Sequence, residues 1–154
     1  MHISNRSEDE GETDAMTTVG EAMKSPVVTV RPDDKLMELI NLSRQLRIRH
    51  LPVVEGDRLL GIISDRNLRE NTHYLKLFSL LMEVTAALEK AVAKTIMVSE
   101  VVTTTPETPL ADAAKLMRDR KIGCLPVLKD GRLVGIVTDS DLLAHVASTE
   151  GPPQ

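Results

Sequence analysis

The chain has 154 residues and a mass of 16.9 kDa, the size of one ordinary domain, and its 42% hydrophobic and 27% charged residues are those of a soluble fold. Its 19 Lys and Arg stand against 23 Asp and Glu, and aromatics make up only 1%. That balance argues against nucleic-acid binding, which wants a basic excess and rings for bases to stack on. Charges interrupt every apolar run short of the ~20 residues of a membrane-spanning helix, and no secretory leader opens the chain.

In chain order, residues 1–16 carry acids and almost nothing apolar, and are expected to lack fixed structure. Residues 17–70 form a first unit. Val27–Val30 reads as a short strand that ends at Pro32, before a helix with Leu36, Leu39, Ile40 and Leu46 at helical spacing. Leu51–Val54 and Leu59–Ser64 follow as strands joined through Gly56-Asp57, a tight-turn pair, and a polar helix start comes next.

Residues 71–94 place Leu75, Phe78, Leu81, Met82, Thr85, Leu88 and Val92 at helical spacing, which predicts a long amphipathic helix. It packs on its own molecule or a twin subunit, or else it recruits another protein. Residues 95–147 then repeat the first unit: Val101–Thr104, Pro106, a helix with Leu110, Ala113, Ala114 and Met117, Leu125–Leu128, Asp130-Gly131, and Leu133–Thr138. Residues 148–154 end in a flexible tail.

The repetition has a fixed offset of 74 residues. Laying 22–68 on 96–142 without a gap gives 19 identities in 47 positions, among them Met23/Met97, Pro32/Pro106, Leu51-Pro52-Val53/Leu125-Pro126-Val127, Gly61-Ile62/Gly135-Ile136 and Asp65/Asp139. A single unit of about 50 residues buries too little surface to be stable alone. The predicted fold is therefore α+β: two tandem β-α-β-β-α units packed sheet against sheet about a pseudo-twofold axis, with a groove on either side.

These residues resemble the cystathionine-β-synthase (CBS) domain family, and the two copies resemble a tandem CBS pair, or Bateman module, over 19–146. The motifs that carry the resemblance recur in both copies: the methionines, the Leu-Pro-Val strands, and a Gly followed by two apolar residues, Ser or Thr, and Asp or Asn three positions later. The runs Ile48–Val54 and Ile122–Val127 are similar to those of stand-alone acetoin-utilisation-type CBS proteins, without the further C-terminal domain that those often carry.

The resemblance implies regulatory binding of an adenosine-containing ligand (AMP, ADP, ATP or S-adenosylmethionine), with no cofactor required and a homodimeric, cytoplasmic protein that changes conformation. Thr138 and Asp141 would meet phosphate and ribose in one groove, and Ser64 and Asn67 in the other. A hydroxyl donates to phosphate, an ionised carboxylate accepts from both ribose hydroxyls, and a helix start favours an anion. The same residue types are also ordinary helix N-caps. Arg49 and His50 match positions where relatives hold phosphate, and Arg66 stands beside Ser64; because the two grooves adjoin across the axis, these first-copy cations can serve either one. These charges equally suit a solvated surface.

Val28, Val102, Val53 and Val127 are the candidate walls for adenine, or else core. The alternative to a sensor is a ligand-free dimerisation module that recruits a partner through 71–94. An enzyme is disfavoured, because the four histidines are scattered and Cys124 stands alone in an apolar strand. That single cysteine also excludes an internal disulfide.

Overall fold

The computed structural model describes residues 16–78 and 90–149, of which 74–78 are described by their backbone alone. The first half contains α1 (Val19–Ala22), α2 (Leu36–Leu46), β1 (His50–Glu55), β2 (Arg58–Ser64) and α3 (Asp65–Phe78). The second contains α4 (Ala93–Ile96), α5 (Leu110–Arg120), β3 (Cys124–Lys129), β4 (Arg132–Thr138) and α6 (Asp139–Thr149).

Each half is organised around a β-hairpin. β1 pairs antiparallel with β2 and β3 with β4, in the same register, each with an irregularity after the central valine, Val53 or Val127. The hairpin tips require positive φ: Gly56 stands at 60°, and Asp130 and Gly131 at 50° and 76°, which a glycine or aspartate adopts at little cost. The helices preceding the hairpins end on left-handed residues, Arg47 and Lys121, whose N–H groups return to the last turn.

The core follows the helical spacing in part. Leu36, Leu39 and Ile40 are buried in α2, and Leu110, Ala113 and Met117 in α5, while Leu46 is 49% exposed. At ~1.5–3 kcal/mol for each fully buried aliphatic side chain, such clusters supply most of the stabilisation.

The expected first strand of each unit is much reduced. Val27–Val30 makes one parallel bridge, Val30 to Val53, and Val101–Thr104 one, Thr104 to Val127. The opposite edge of each hairpin is completed by the other half of the chain. Lys24 and Ile136 exchange N–H···O bonds of 2.9 and 3.1 Å, and Val98 and Ile62 exchange bonds of 2.9 and 3.0 Å.

The leading segments are thus crossed. Val19 and Met23 pack in the second core, and Ala93 and Met97 in the first. The Val19 and Gly20 N–H groups donate to Thr108 and Pro106, whereas those of Ala93 and Lys94 donate to Asp34 and Pro32. Each half is therefore incomplete without eight or so residues from the other.

The helix expected over 71–94 is continuous in α3 as far as Phe78. Leu81, Met82, Thr85 and Leu88 lie outside the described residues. Val92 is extended, with φ −122° and ψ 164°, and bridges Lys35, so no single helix runs through to 94. Residues 1–15 and 150–154 also lie outside the description, and α6 continues through Thr149.

Candidate functional site

The two Ser/Thr-x-x-Asp/Asn motifs stand where a central strand turns into a helix. The Ser64 N–H and hydroxyl both donate to Asn67 Oδ1, at 2.9 and 2.8 Å, and the Asn67 N–H returns to the Ser64 hydroxyl at 3.2 Å. Thr138 donates in the same way to Asp141 Oδ2, at 2.8 and 2.9 Å. Both motifs therefore cap their helices. In each, one heteroatom of the terminal group remains outside the cap: the amide nitrogen of Asn67, a donor, and Oδ1 of Asp141, an acceptor.

Those remaining atoms meet different surroundings. Asp141 Oδ1 lies 3.5 Å from Lys24 Nζ, and its side chain is only 11% exposed, whereas the lysine is 67% exposed. Asn67 instead lines a cleft of about 380 Å³ with Ser64, Arg66 and His50 of the first half. The second half supplies Val98, Glu100, Val101, Val102, Lys121, Gly123 and Cys124 to the same cleft. The volume is of the order of a small-molecule site. Its lining is mixed: apolar at Ile62, Val98, Val101 and Val102, cationic at Arg66 and Lys121, and acidic at Asp65 and Glu100.

The cations of the first copy divide between the two motifs. Arg49 Nη2 donates to Ser140 Oγ at 3.1 Å and lies 3.3 Å from Asp139 Oδ1, at the head of α6. His50 lines the Ser64 cleft instead. Adjacent residues entering an extended strand point to opposite sides, which sends the pair to different grooves. Arg66 also lines the cleft and pairs with Glu70 at 2.9 Å.

Of the four valines, Val102 lines the cleft and Val28 is 40% exposed outside it. Val53 and Val127 are fully buried in the two cores, so neither forms a wall. The contributions of Val98, Val101 and Lys24 are additions that depend on the crossed segments. One signal for them exists in the repeat. Lys24 corresponds to Val98 and Asp141 to Asn67, so cation and carboxylate are both replaced by neutral residues in the other copy.

Near the axis, a Cβ at Gly123 would stand 3.6 Å from the His50 ring and 3.5 Å from Asp139 Oδ2. Burial lowers the pKa of His50 from 6.5, and the Arg49 charge adds to the effect, so the ring is neutral at pH 7. Burial, reinforced by the Asp139 carboxylate, pushes the Cys124 thiol up to about 12, far from a nucleophile's range. Among the described residues no cluster of three His, Cys, Asp or Glu could hold a metal ion. No helix there is long and apolar enough to cross a membrane.

Comparison with known proteins matches the CBS domain model to residues 19–73 and again to 93–148. A CBS domain-containing protein of Dictyostelium discoideum is 39% identical over 127 residues, which cover 81% of this chain and 88% of that protein. Among solved structures, an acetoin utilization protein (AcuB) from Vibrio cholerae aligns at TM-score 0.71 and 30% identity, covering 89% of this chain and 99% of that one. The CBS domain pair of protein MJ0100, in complex with 5′-methylthioadenosine and S-adenosyl-L-methionine, aligns at 0.72 and 26%, covering 88% and 99%. CBSX2 in complex with AMP aligns at 0.71 and 26%, covering 86% and 97%.

Proposed function

The chain belongs to the CBS domain family, and on that premise we propose that it is a regulatory module that binds an adenosine-containing ligand in the Ser64–Asn67 cleft. The observation that carries this reading is the construction of the cleft from both halves, with apolar residues and hydrogen-bonding and cationic groups together in its lining. Adenine lies against Ile62, Val98, Val101 and Val102. The Ser64 hydroxyl and the Asn67 amide meet the ribose. Arg66, Lys121 and His50 face the phosphate, whose charge draws a proton onto the imidazole. Filling a cleft with two-sided walls favours one setting of the halves over another, which is the condition for transmitting a signal.

The second motif is the weaker site at rest. Asp141 is the better ribose acceptor and Arg49 the better phosphate donor, yet a ligand there competes with Lys24 for Asp141 Oδ1 and with Asp139 for Arg49. The two sites are therefore filled in order, the Ser64 cleft first. Complexes of MJ0100 and CBSX2 support the ligand class. The module works as a homodimer in the cytoplasm, its exposed Leu143 and Val146 on α6 covered by the twin.

Thermal unfolding with AMP, ADP, ATP and S-adenosylmethionine tests the reading. A ligand at 100 times its Kd stabilises by about 2.7 kcal/mol, which for this size is a rise of several degrees in Tm. Asn67→Ala is expected to reduce that rise, and Asp141→Ala to remove only the weaker binding phase. No rise with any of the four at millimolar concentration overturns the proposal.

A further inference from the structure

A larger cleft, about 630 Å³, lies on the helical side of the first half, between the end of α2, the approach to β1 and one face of α3. Its lining is cationic: Arg44, Arg47, Arg49 and Arg69, with His73 beside them and Asp65 the one acid. Asp65 is held by Arg69 at 3.3 Å, and Arg49 by Asp139 at 3.3 Å. Arg44 and Arg47 have no ion pair among the described residues. Two of the four arginines thus have a carboxylate partner, and Arg44 and Arg47 are left to face an anion from solution.

The duplication supplies an internal control. Basic residues at a helix C-terminus complement its dipole, which accounts for Arg44 and Arg47, since α5 ends likewise on Arg118, Arg120 and Lys121. It does not account for the opposite wall. Arg49, Arg69 and His73 correspond to Gly123, Leu143 and Ala147, and where a groove between α5 and α6 shares positions with this cleft it is lined by Ala114, Leu142 and Val146, before it runs on past Leu110 to Met16, Thr17 and His145. The fold thus tolerates an apolar groove here, and the charges are particular to the first copy.

We infer that the α2–α3 cleft is a binding site for a linear oligophosphate, distinct from the Ser64 cleft. The guanidinium forks on both walls suit successive phosphates of a chain better than a single one. The hydroxyls along the groove are already committed, Ser43 to the Ile48 carbonyl at 2.7 Å and Thr72 to that of Leu68 at 2.6 Å. Recognition therefore falls to charge and fork geometry, and among the described side chains the lining holds no Phe, Tyr or Trp, His73 being its one ring. Either a free oligophosphate or the triphosphate tail of a nucleotide has this chemistry.

The test is calorimetric titration of the whole protein with sodium tripolyphosphate at low salt, with sulfate at matched ionic strength as control. Saturable binding is expected, weakened at least tenfold in the double variant Arg44→Ala/Arg69→Ala and retained when both are Lys. His73→Glu, a surface change that leaves every arginine in place, is expected to weaken it as well. AMP binding is expected to be the same in all three variants, which separates this site from the nucleotide cleft. Displacement by ATP but not AMP assigns the chain to a nucleotide tail, and failure of ATP to displace assigns it to a free oligophosphate. Binding of tripolyphosphate no tighter than sulfate, or unchanged in both Arg44→Ala/Arg69→Ala and His73→Glu, overturns the site.

Discussion

His50 is the residue at which protonation and folding meet. Its ring is neutral in the folded chain because burial, with Arg49 beside it, disfavours the charged form. The unfolded chain takes up a proton near 6.5, so it binds more protons than the folded one just below that pH. The stability this group contributes is complete above about 6.5 and is lost as pH falls through that value toward the lower folded-state pKa. Urea midpoints measured from pH 7.5 to 5.5 are expected to fall, and the fall to be smaller in His50→Gln. An equal fall in both proteins would remove His50 from this role. The polar motifs were legible from sequence because each is local, four residues long, and present twice. That a first-copy cation can reach the other groove follows from the repeat, but that it is Arg49 rather than His50 does not, since its partner Ser140 is 91 positions away. Val53 and Val127 looked like walls for a related reason. Leu51, Pro52 and Val53 are all buried, so the strand lacks the alternation that would tell a groove face from a core face.

Among the elements, the leading segments are fastened by a methionine laid over a glycine. A Cβ at Gly61 would meet Met97 Sδ at 2.5 Å and the Val98 carbonyl at 2.8 Å. At Gly135 the nearest obstacle is the flexible end of Met23, and the Lys24 carbonyl is farther, at 3.2 Å. Gly61→Ala is therefore expected to cost about 1–3 kcal/mol, and Gly135→Ala less, because a thioether moves aside more readily than a backbone. Denaturant unfolding of the two variants checks the order. The repeated Gly and Met were plain in the sequence, but their partnership was not. An offset of 74 aligns each Met with the other, and says nothing about which hairpin either one covers.

For the molecule as a whole, the crossed segments join two small cores into one cooperative structure. Removing residues 1–24 takes Val19 and Met23 from the second core and the Lys24 edge from β4, while the first core keeps every member. The shortened chain is expected to lose amide-exchange protection in β3, β4 and α5 before β1, β2 and α2. Loss in the reverse order would contradict the crossing. The tandem α+β architecture was legible because two weakly stable units have few ways to bury their sheets. The shrinking of each first strand to a single bridge was not, since apolar β-branched runs look alike whether they pair along their length or at one residue.

The crossing also bears on symmetry. A single unit of this kind carries a leading segment that it cannot use and a vacancy that it cannot fill, and a second copy remedies both. Two identical units would satisfy both needs only as a symmetric pair, and a covalent repeat satisfies them within one chain. Inside one chain the copies need not match, and they differ at Asp141 against Asn67, Lys24 against Val98, and Arg49 against Gly123.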